Sequence, residues 1–255
     1  MLLETDLELS YGNQKILDGF RLSIAPGEIV GLAGESGSGK SSFANALLGL
    51  LKPPAVRITG TMRFRGEDLR DRSESQWRAV RGREIALIPQ SPQSALNPAL
   101  TLESQARLIW RAHSNEPWTK GRDRLFALFS GCNIPATDEF LRRYPAEISV
   151  GQAQRVVISI AVLHAPSLLI GDEITSSLDT LSRHHVLQTV KGVLQSTRMA
   201  MLFLSHDLTV LRAFCDTIAV LHDGRIVEQQ KPAELFHSPQ HSFTRRLVDL
   251  TVQPI

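Results

Sequence analysis

The feature that most constrains this chain is the octapeptide GESGSGKS, which matches the pattern G-x-x-x-x-G-K-[ST] in full at residues 34–41. An apolar run, EIVGLAG, leads into it, and a helical pattern, SSFANALLGLL, begins at its last residue and runs to residue 51. This order predicts a buried strand, a glycine turn and a helix. Glycines let the loop wrap with its N–H groups inward, and the helix adds its positive end. The loop is therefore predicted to hold the phosphates of a nucleotide.

Within this loop the pattern assigns separate roles to the last two residues. Lys40 is predicted to reach the β- and γ-phosphates, and the hydroxyl of Ser41 to ligate Mg²⁺. The complete set of predicted nucleotide-contacting residues in the loop and at the start of the helix is Gly34, Glu35, Ser36, Gly37, Ser38, Gly39, Lys40, Ser41 and Ser42.

Three further strand-like runs each end in a polar or charged residue. These are EIALIPQ (84–90), SLLIGDE (167–173) and AMLFLSH (200–206). Short apolar runs that alternate with helical patterns predict an α/β fold with a mainly parallel sheet. Ligands of such sheets gather at the carboxyl ends of the strands, where these polar residues fall.

The residues at these strand ends suggest hydrolysis of a nucleotide. Asp172 is the candidate for holding the metal, and Glu173 is placed to orient and activate a water. Gln90 is expected to touch Mg²⁺ or the attacking water, and His206 to hydrogen-bond the γ-phosphate. A single histidine is more often structural, but three such ends in a chain with a phosphate loop favour a catalytic site.

The remaining segments and the composition indicate one soluble α/β domain. The segment 216–229 is predicted to be a hairpin with Asp223-Gly224 as its turn, and residues 91–165 to be a helical insertion. The chain has 255 residues, 42% hydrophobic and 21% charged, and a net charge of +2, which implies no long-range field for nucleic acid. Its two cysteines, Cys132 and Cys215, lack metal-like spacing and fit a reducing compartment. We expect neither a signal peptide nor a membrane span, since the run 199–204 is too short.

These landmarks together resemble an ATP-binding-cassette (ABC) ATPase, and the resemblance covers Tyr11 to about Leu247. The order is an aromatic residue, the phosphate loop, Gln90, ISVGQ (148–152), the acidic strand end and SLD (177–179) before His206. An aromatic residue such as Tyr11 is suited to stack on a purine ring.

The resemblance implies a single ABC ATPase domain with a RecA-like nucleotide-binding core, a small antiparallel β-region near the N-terminus and an inserted helical subdomain. The core is expected to hold residues 1–90 and 166–232, the helical subdomain 91–165, and a short tail 233–255.

The resemblance also implies that two cassettes pair head to tail, each ATP lying between one P-loop and the other subunit's signature. It assigns Ser149, Gly151 and Gln152 to the ATP of the opposing subunit, and Asp179 to the dimer contact. Further implied partners are two transmembrane permeases and an extracytoplasmic substrate-binding protein, with ATP and Mg²⁺ as ligands. The chain is then expected at the cytoplasmic face of the cell membrane, held there by the permeases.

Two segments resemble the importers for oligopeptides, dipeptides and nickel. They are RGREIALIPQSPQSALNPALT (81–101) and HSPQHSFTRRLV (237–248). The length resembles the short, nickel-importer type. The alternative is a non-transport ABC ATPase, such as a subunit of a phosphonate-breakdown assembly. ABC ATPases of translation or DNA repair are disfavoured, because they usually carry two cassettes or long coiled coils.

Three positions depart from the family pattern. Val150 replaces the first glycine of L-S-G-G-Q, Ile174 replaces a proline, and Gly171 stands where a bulkier residue or alanine is common. Ordinary helical dihedrals at Val150 would cost a few tenths of a kcal/mol, whereas a positive φ or close phosphate approach would cost about 1–3 kcal/mol. In the arrangement that the resemblance implies, Val150 lies against the ATP bound by the partner subunit. The hypothesis is therefore that the partner is a different ATPase and that the pair has one full and one weakened ATP site. A homodimer is the alternative.

Overall fold

The computed structural model describes residues 1–176 and 180–252, and within the latter range it leaves the side chains of 180–182 and 252 undescribed, as it does that of residue 93. The described strands are β1 (Leu3–Tyr11), β2 (Gln14–Ile24), β3 (Ile29–Ala33), β4 (Val56–Phe64), β5 (Glu67–Asp68), β6 (Ile85–Ile88), β7 (Leu168–Asp172), β8 (Ala200–Ser205), β9 (Thr217–His222) and β10 (Arg225–Gln230). The helices are α1 (Lys40–Leu47), α2 (Glu74–Val80), α3 (Pro92–Ala95), α4 (Leu102–His113), α5 (Trp118–Gly131), α6 (Asp138–Leu141), α7 (Val150–Ala161), α8 (Thr180–Thr197), α9 (Leu208–Phe214), α10 (Pro232–His237) and α11 (Ser242–Val252). The predicted α/β class is confirmed.

The chain divides into two compact units. Unit 1 is Met1–Arg78 with Ala200–Ile255, and unit 2 is Ala79–Met199. In this division residues 79–90 and 166–199 group with the helical segment, and the nucleotide-binding core of 1–90 and 166–232 stays a prediction. The reason is local packing, since β6 pairs with β7, and α7 packs against both β6 and α8.

Unit 1 contains an antiparallel sheet in the order β2-β1-β4-β5. Along β1 the side chains of Leu3, Leu7 and Leu9 are buried, while the acidic residues between them face solvent. Alternation with a period of two buries one face of a sheet and leaves the other in water.

Unit 1 also contains three neighbouring parallel strands, β9, β3 and β8, and β10 pairs antiparallel with β9. The β9–β10 turn is made by Asp223 and Gly224, whose φ angles of 47° and 75° are both positive. Positive φ at both turn residues matches the twist of the flanking strands. The hairpin predicted from this dipeptide is confirmed.

The helix after the phosphate loop is shorter than the sequence pattern predicts, since α1 ends at Leu47. Gly49 ends this segment in a left-handed conformation with φ 59°, and a Cβ there would lie 2.2 Å from Cε2 of Trp77. The apolar residues that follow therefore do not extend the helix.

Unit 2 contains the parallel pair β6–β7 and helices α3 to α8. The edge-to-face rings of Phe129 and Phe140 and the fully buried Leu125 and Leu141 form part of its core. Among the described residues of both units, no helix is long and apolar enough to span a bilayer.

Candidate functional site

The predicted phosphate loop connects β3 to α1 in unit 1. Lys40 is the first residue of α1 and is only 6% exposed. Its ammonium group donates hydrogen bonds to the carbonyl oxygens of Gly34, at 2.7 Å, and Glu35, at 3.0 Å. The positive charge is therefore held inside the loop by the loop's own backbone.

Two glycines allow this loop to close. Gly39 has φ 107°, and a Cβ there would lie 2.9 Å from Leu17 and 3.0 Å from Ile16. A Cβ at Gly34 would lie 2.8 Å from the carbonyl oxygen of Leu221. Because only glycine lacks this atom, the backbone approaches its neighbours more closely than any other residue would permit.

The loop suits a bound phosphate. The Oγ atom of Ser38 is buried, and none of the described residues forms a hydrogen bond with it. A buried polar atom without a partner is costly, so this hydroxyl fits a site that receives a polar ligand. The ammonium of Lys40 and the N-terminus of α1 supply positive charge for an anion.

Two more predicted residues lie in unit 1. The hydroxyl of Tyr11 donates a hydrogen bond of 3.5 Å to Oγ of Ser42, so the aromatic side chain stands beside α1. His206 directly follows β8, and the last residue of β8, Ser205, pairs in register with Ala33 at the end of β3. His206 and the phosphate loop therefore begin at the same edge of the parallel strands.

Three predicted residues lie at one edge of the β6–β7 pair in unit 2. Asp172 is the last residue of β7, and Gln90 follows β6, which runs parallel to it. Glu173 has φ 51°, a left-handed conformation that is costly for a residue with a Cβ. Such strain is common at functional sites, and it accompanies the predicted water-activating residue.

Ser176 connects these residues, and sequence reasoning missed it. Nε2 of Gln90 donates to Oγ of Ser176 at 3.3 Å, and this hydroxyl donates to the carbonyl oxygen of Glu173 at 2.9 Å. The only signal in the sequence is a serine three residues after Glu173, which is too common to single out.

The predicted signature segment forms the start of α7. Ser149 is the N-cap, where its Oγ accepts from the N–H of Gln152, and the side-chain oxygen of Gln152 accepts from the N–H of Ser149. Val150 is the first helical residue, so it has ordinary helical dihedrals, and its side chain is 45% exposed. A Cβ at Gly151 would meet no atom within 4 Å. The helical position and the exposure of Val150 mean that the backbone accommodates its side chain at little cost, so a penalty would arise only where that side chain approaches a ligand.

Two further positions depart from the family pattern, and the structure describes both of them but not Asp179. Ile174 is buried, and Gly171 lies within β7, where it pairs with Ile88. Asp179 lies outside the described residues, so its place at a dimer contact stays a prediction.

Comparison with known proteins decides the family. Residues 17–176 match the family model described as ABC transporter. The chain belongs to the ABC transporter family. The resemblance inferred from the ordered motifs is confirmed, and the chain is an ATP-binding cassette of this family.

Relatives named as transport ATP-binding proteins align with most of this chain. The Peptidoglycan transport ATP-binding protein YejF of Agrobacterium fabrum is 39% identical over 91% of this chain and 43% of its own length. The Oligopeptide transport ATP-binding protein OppD of Lactococcus lactis is 33% identical over 92% of this chain and 70% of its own length. The Dipeptide transport ATP-binding protein DppD of Bacillus subtilis is 32% identical over 93% of this chain and 71% of its own length. The chain thus spans less than half of the length of the first relative and about 70% of the length of the other two.

Solved structures have the same fold. The ATP-binding subunit of an ABC transporter matches with TM-score 0.77 and 29% identity over 98% of this chain and 100% of that one. The cassette MJ0796, in a dimeric post-hydrolysis structure with ADP and Pi, matches with TM-score 0.78 and 25% identity over 91% and 99% of the two chains.

Proposed function

We propose that this chain is the ATP-hydrolysing subunit of an importer for peptides or for nickel and other metal complexes. The observation that carries the proposal is the phosphate loop, with its buried Lys40, in a chain where Asp172 ends the buried strand β7 and the strained Glu173 follows it. The names of the relatives in Agrobacterium, Lactococcus and Bacillus all favour transport. The Lactococcus and Bacillus names, which specify oligopeptides and dipeptides, favour peptides as cargo.

Each residue of the site has a defined task in this proposal. Lys40 binds the β- and γ-phosphates through its ammonium group, and Glu173 orients and deprotonates the attacking water. Ser41, Asp172 and Gln90 offer the oxygen ligands that Mg²⁺ prefers, and the ion would neutralise charge on the phosphates. His206 donates a hydrogen bond to the γ-phosphate. Tyr11 supplies an aromatic face for the purine ring.

A second, different cassette is the proposed partner. The N-terminus of α7, capped by Ser149 and free of obstruction at Gly151, is suited to approach an anion held by another subunit. Val150 is the first residue at this N-terminus, and its isopropyl group takes up space through which the anion of the other subunit would approach the helix. The proposal therefore gives the pair one full and one weakened ATP site.

Unit 2 has a surface suited to a permease. A mostly apolar groove of about 470 Å³ is bounded by β6, α4 and α7 and includes Pro89 next to Gln90. Its apolar walls, including Leu96, Ile109 and Val157, fit the apolar side of a helix. Two permeases bound at such grooves would hold the cassettes at the cytoplasmic face of the membrane, and a substrate-binding protein would deliver the cargo.

Two measurements test the proposal. The first is ATP hydrolysis and ATP binding by the purified protein, which is expected to hydrolyse ATP. The variant Glu173→Gln is expected to bind ATP but to have a kcat at least about 100-fold lower. The variant Lys40→Ala is expected to lose ATP binding. A Glu173→Gln variant as active as the parent would contradict the assigned role.

The second measurement is a pull-down of the tagged chain from detergent-solubilised membranes, with mass spectrometry of the bound chains. Two multi-span permeases and a second ATPase are the expected partners. Recovery of soluble enzymes alone would replace the importer with the non-transport alternative, while the ATPase result would stand.

A further inference from the structure

Ser205 is the last residue of β8 and directly precedes His206. All six residues of β8 are buried, and Ser205 is the one among them with a polar side chain. It is only 2% exposed, whereas His206 is exposed. A buried hydroxyl group is costly unless it forms a hydrogen bond inside the protein. The partner of this hydroxyl therefore indicates what Ser205 does at the strand end.

The hydroxyl of Ser205 bridges His206. Its Oγ atom accepts a hydrogen bond of 3.0 Å from the backbone N–H of Asp207. Serine forms turns of this kind, in which its side chain takes the place of a backbone carbonyl. Because the turn spans a single residue, the hydrogen bond restricts the φ and ψ angles of His206.

The strand side of this turn is fixed by the parallel pairing of β8 with β3. Ser205 pairs with Ala33, and the four residues before it pair in unbroken register with Ile29 to Leu32. Gly34, the first residue of the phosphate loop, directly follows Ala33. The phosphate loop and the turn around His206 thus leave adjacent strands at the same level of the sheet.

The helix side of the turn is fixed by α9. Oδ1 of Asp207, the N-cap residue, accepts hydrogen bonds of 2.9 and 3.2 Å from two N–H groups in the first turn of this helix. The helix packs closely on β3, since a Cβ at Gly31 would lie 3.0 Å from Cδ2 of Leu211. His206 therefore joins two elements that both pack against β3, and the bond from Asp207 to Ser205 connects these elements directly.

We propose that Ser205 is a positioning residue for ATP hydrolysis, which holds His206 at the edge of the sheet where the phosphate loop begins. Ser205 acts through His206 and does not itself contact ATP. The inference rests on the proposed function, in which His206 donates a hydrogen bond to the γ-phosphate.

The first test is steady-state ATP hydrolysis by the full chain. Ser205→Ala removes the acceptor of the Asp207 N–H, so we expect kcat to fall about five- to tenfold while the Kd for ATP changes less than about twofold. Ser205→Thr keeps the hydroxyl and is expected to retain most of the activity. The matched control is Thr5→Val in β1, which removes another buried hydroxyl that accepts a backbone N–H, that of Leu22 at 3.1 Å. The control is expected to keep the parent's kcat.

Combination with His206→Ala shows whether Ser205 acts through the histidine. His206→Ala alone is expected to lower kcat at least about tenfold, and Ser205→Ala is expected to cause no further loss in that background. An equal loss from Ser205→Ala with and without His206 would overturn the inference, as would a parental kcat in Ser205→Ala. A parental kcat in His206→Ala would instead refute the proposed role of His206, and the inference with it.

NMR spectroscopy tests the position of His206 without hydrolysis. Its ring C–H signal is identified as the one absent from His206→Ala. We expect this signal to shift in Ser205→Ala and to return close to its parental position in Ser205→Thr, while Thr5→Val leaves it unchanged. An unshifted signal in Ser205→Ala would overturn the inference even where kcat falls. A parent chain without hydrolysis would refute the ATPase proposal, and the NMR signal would still decide whether Ser205 holds His206.

Discussion

The side-chain amide of Gln90 donates a 3.3 Å hydrogen bond to the hydroxyl of Ser176. The same hydroxyl donates to the carbonyl oxygen of Glu173 at 2.9 Å, so Ser176 acts as acceptor and donor at once. The side chain of Gln90, which follows β6, is thereby connected to the backbone of Glu173, which follows β7 and has a left-handed φ. The two bonds therefore connect Gln90 to the residue that we propose activates water.

Replacing Ser176 tests this connection. Ser176→Ala removes both bonds, so we expect kcat for ATP hydrolysis to fall about five- to tenfold, while the Kd for ATP stays within about twofold, because the bonds position residues rather than hold ATP. Ser176→Thr keeps the hydroxyl and is expected to retain most of the activity. Steady-state kinetics together with equilibrium ATP binding separate the two quantities. A rise in KM at unchanged kcat would show that Ser176 does not act through Gln90 and Glu173.

The phosphate loop is expected to tolerate no side chain at Gly39. Gly39→Ala places a Cβ 2.9 Å from Leu17 at a φ of 107°, so we expect a loss of about 1–3 kcal/mol in stability and loss of measurable ATP binding. The control is Gly131→Ala at the end of α5, where a Cβ meets nothing within 4 Å. That variant is expected to equal or slightly exceed the parent in thermal stability. Normal ATP affinity in Gly39→Ala would contradict the close packing of the loop.

Local patterns in the sequence predict the backbone elements that carry part of this candidate site. The glycines and Lys40 lie within one octapeptide, and Asp172 and Glu173 end one apolar run, so strand and loop can be predicted from neighbouring residues. The Asp223-Gly224 hairpin was predictable for the same reason.

Other features depend on contacts between distant positions. Gln90 and Ser176 are 86 positions apart, and their contact follows from the pairing of β6 with β7. The end of α1 depends on the ring of Trp77 against Gly49, a contact that no single pattern contains. The grouping of residues 79–90 and 166–199 with the helices likewise reflects packing between distant segments rather than composition.

The carboxylate of Glu228 in β10 holds the turn between α10 and α11. It accepts hydrogen bonds of 2.9 Å from the N–H groups of Gln240 and His241, within the segment that resembles the importer tail. Burial raises the pKa of this carboxyl, but the hydrogen bonds from the two N–H groups outweigh burial, so the pKa of Glu228 lies below its ordinary value of 4.5. The ionised form therefore stabilises the fold, as two charge-assisted hydrogen bonds would.

The pH dependence follows from this lowered pKa. The stabilisation by Glu228 is complete above pH 4.5, its value in the unfolded chain, and is lost as the pH falls through the lower folded-state pKa. Glu228→Gln is expected to lower stability at pH 7 by about 1–3 kcal/mol, with the difference from the parent shrinking below about pH 4. Urea unfolding at both pH values measures this. Glu234→Gln, at an exposed position of α10, is the control and is expected to differ little from the parent at either pH.

Val150 offers a test of unequal ATP sites. As the first residue of α7, with helical dihedrals and an exposed side chain, it is expected to accept Val150→Gly with less than about 1 kcal/mol change in stability. Any effect on hydrolysis then comes from the isopropyl group at the helix N-terminus, which would face the ATP of the partner subunit. In the assembled pair we expect Val150→Gly to raise hydrolysis several-fold at the partner's ATP and to leave the chain's own site unchanged. The two sites are separated by mutating Glu173 and the partner's glutamate in turn, and equal hydrolysis at both sites in the parent pair would eliminate the asymmetry.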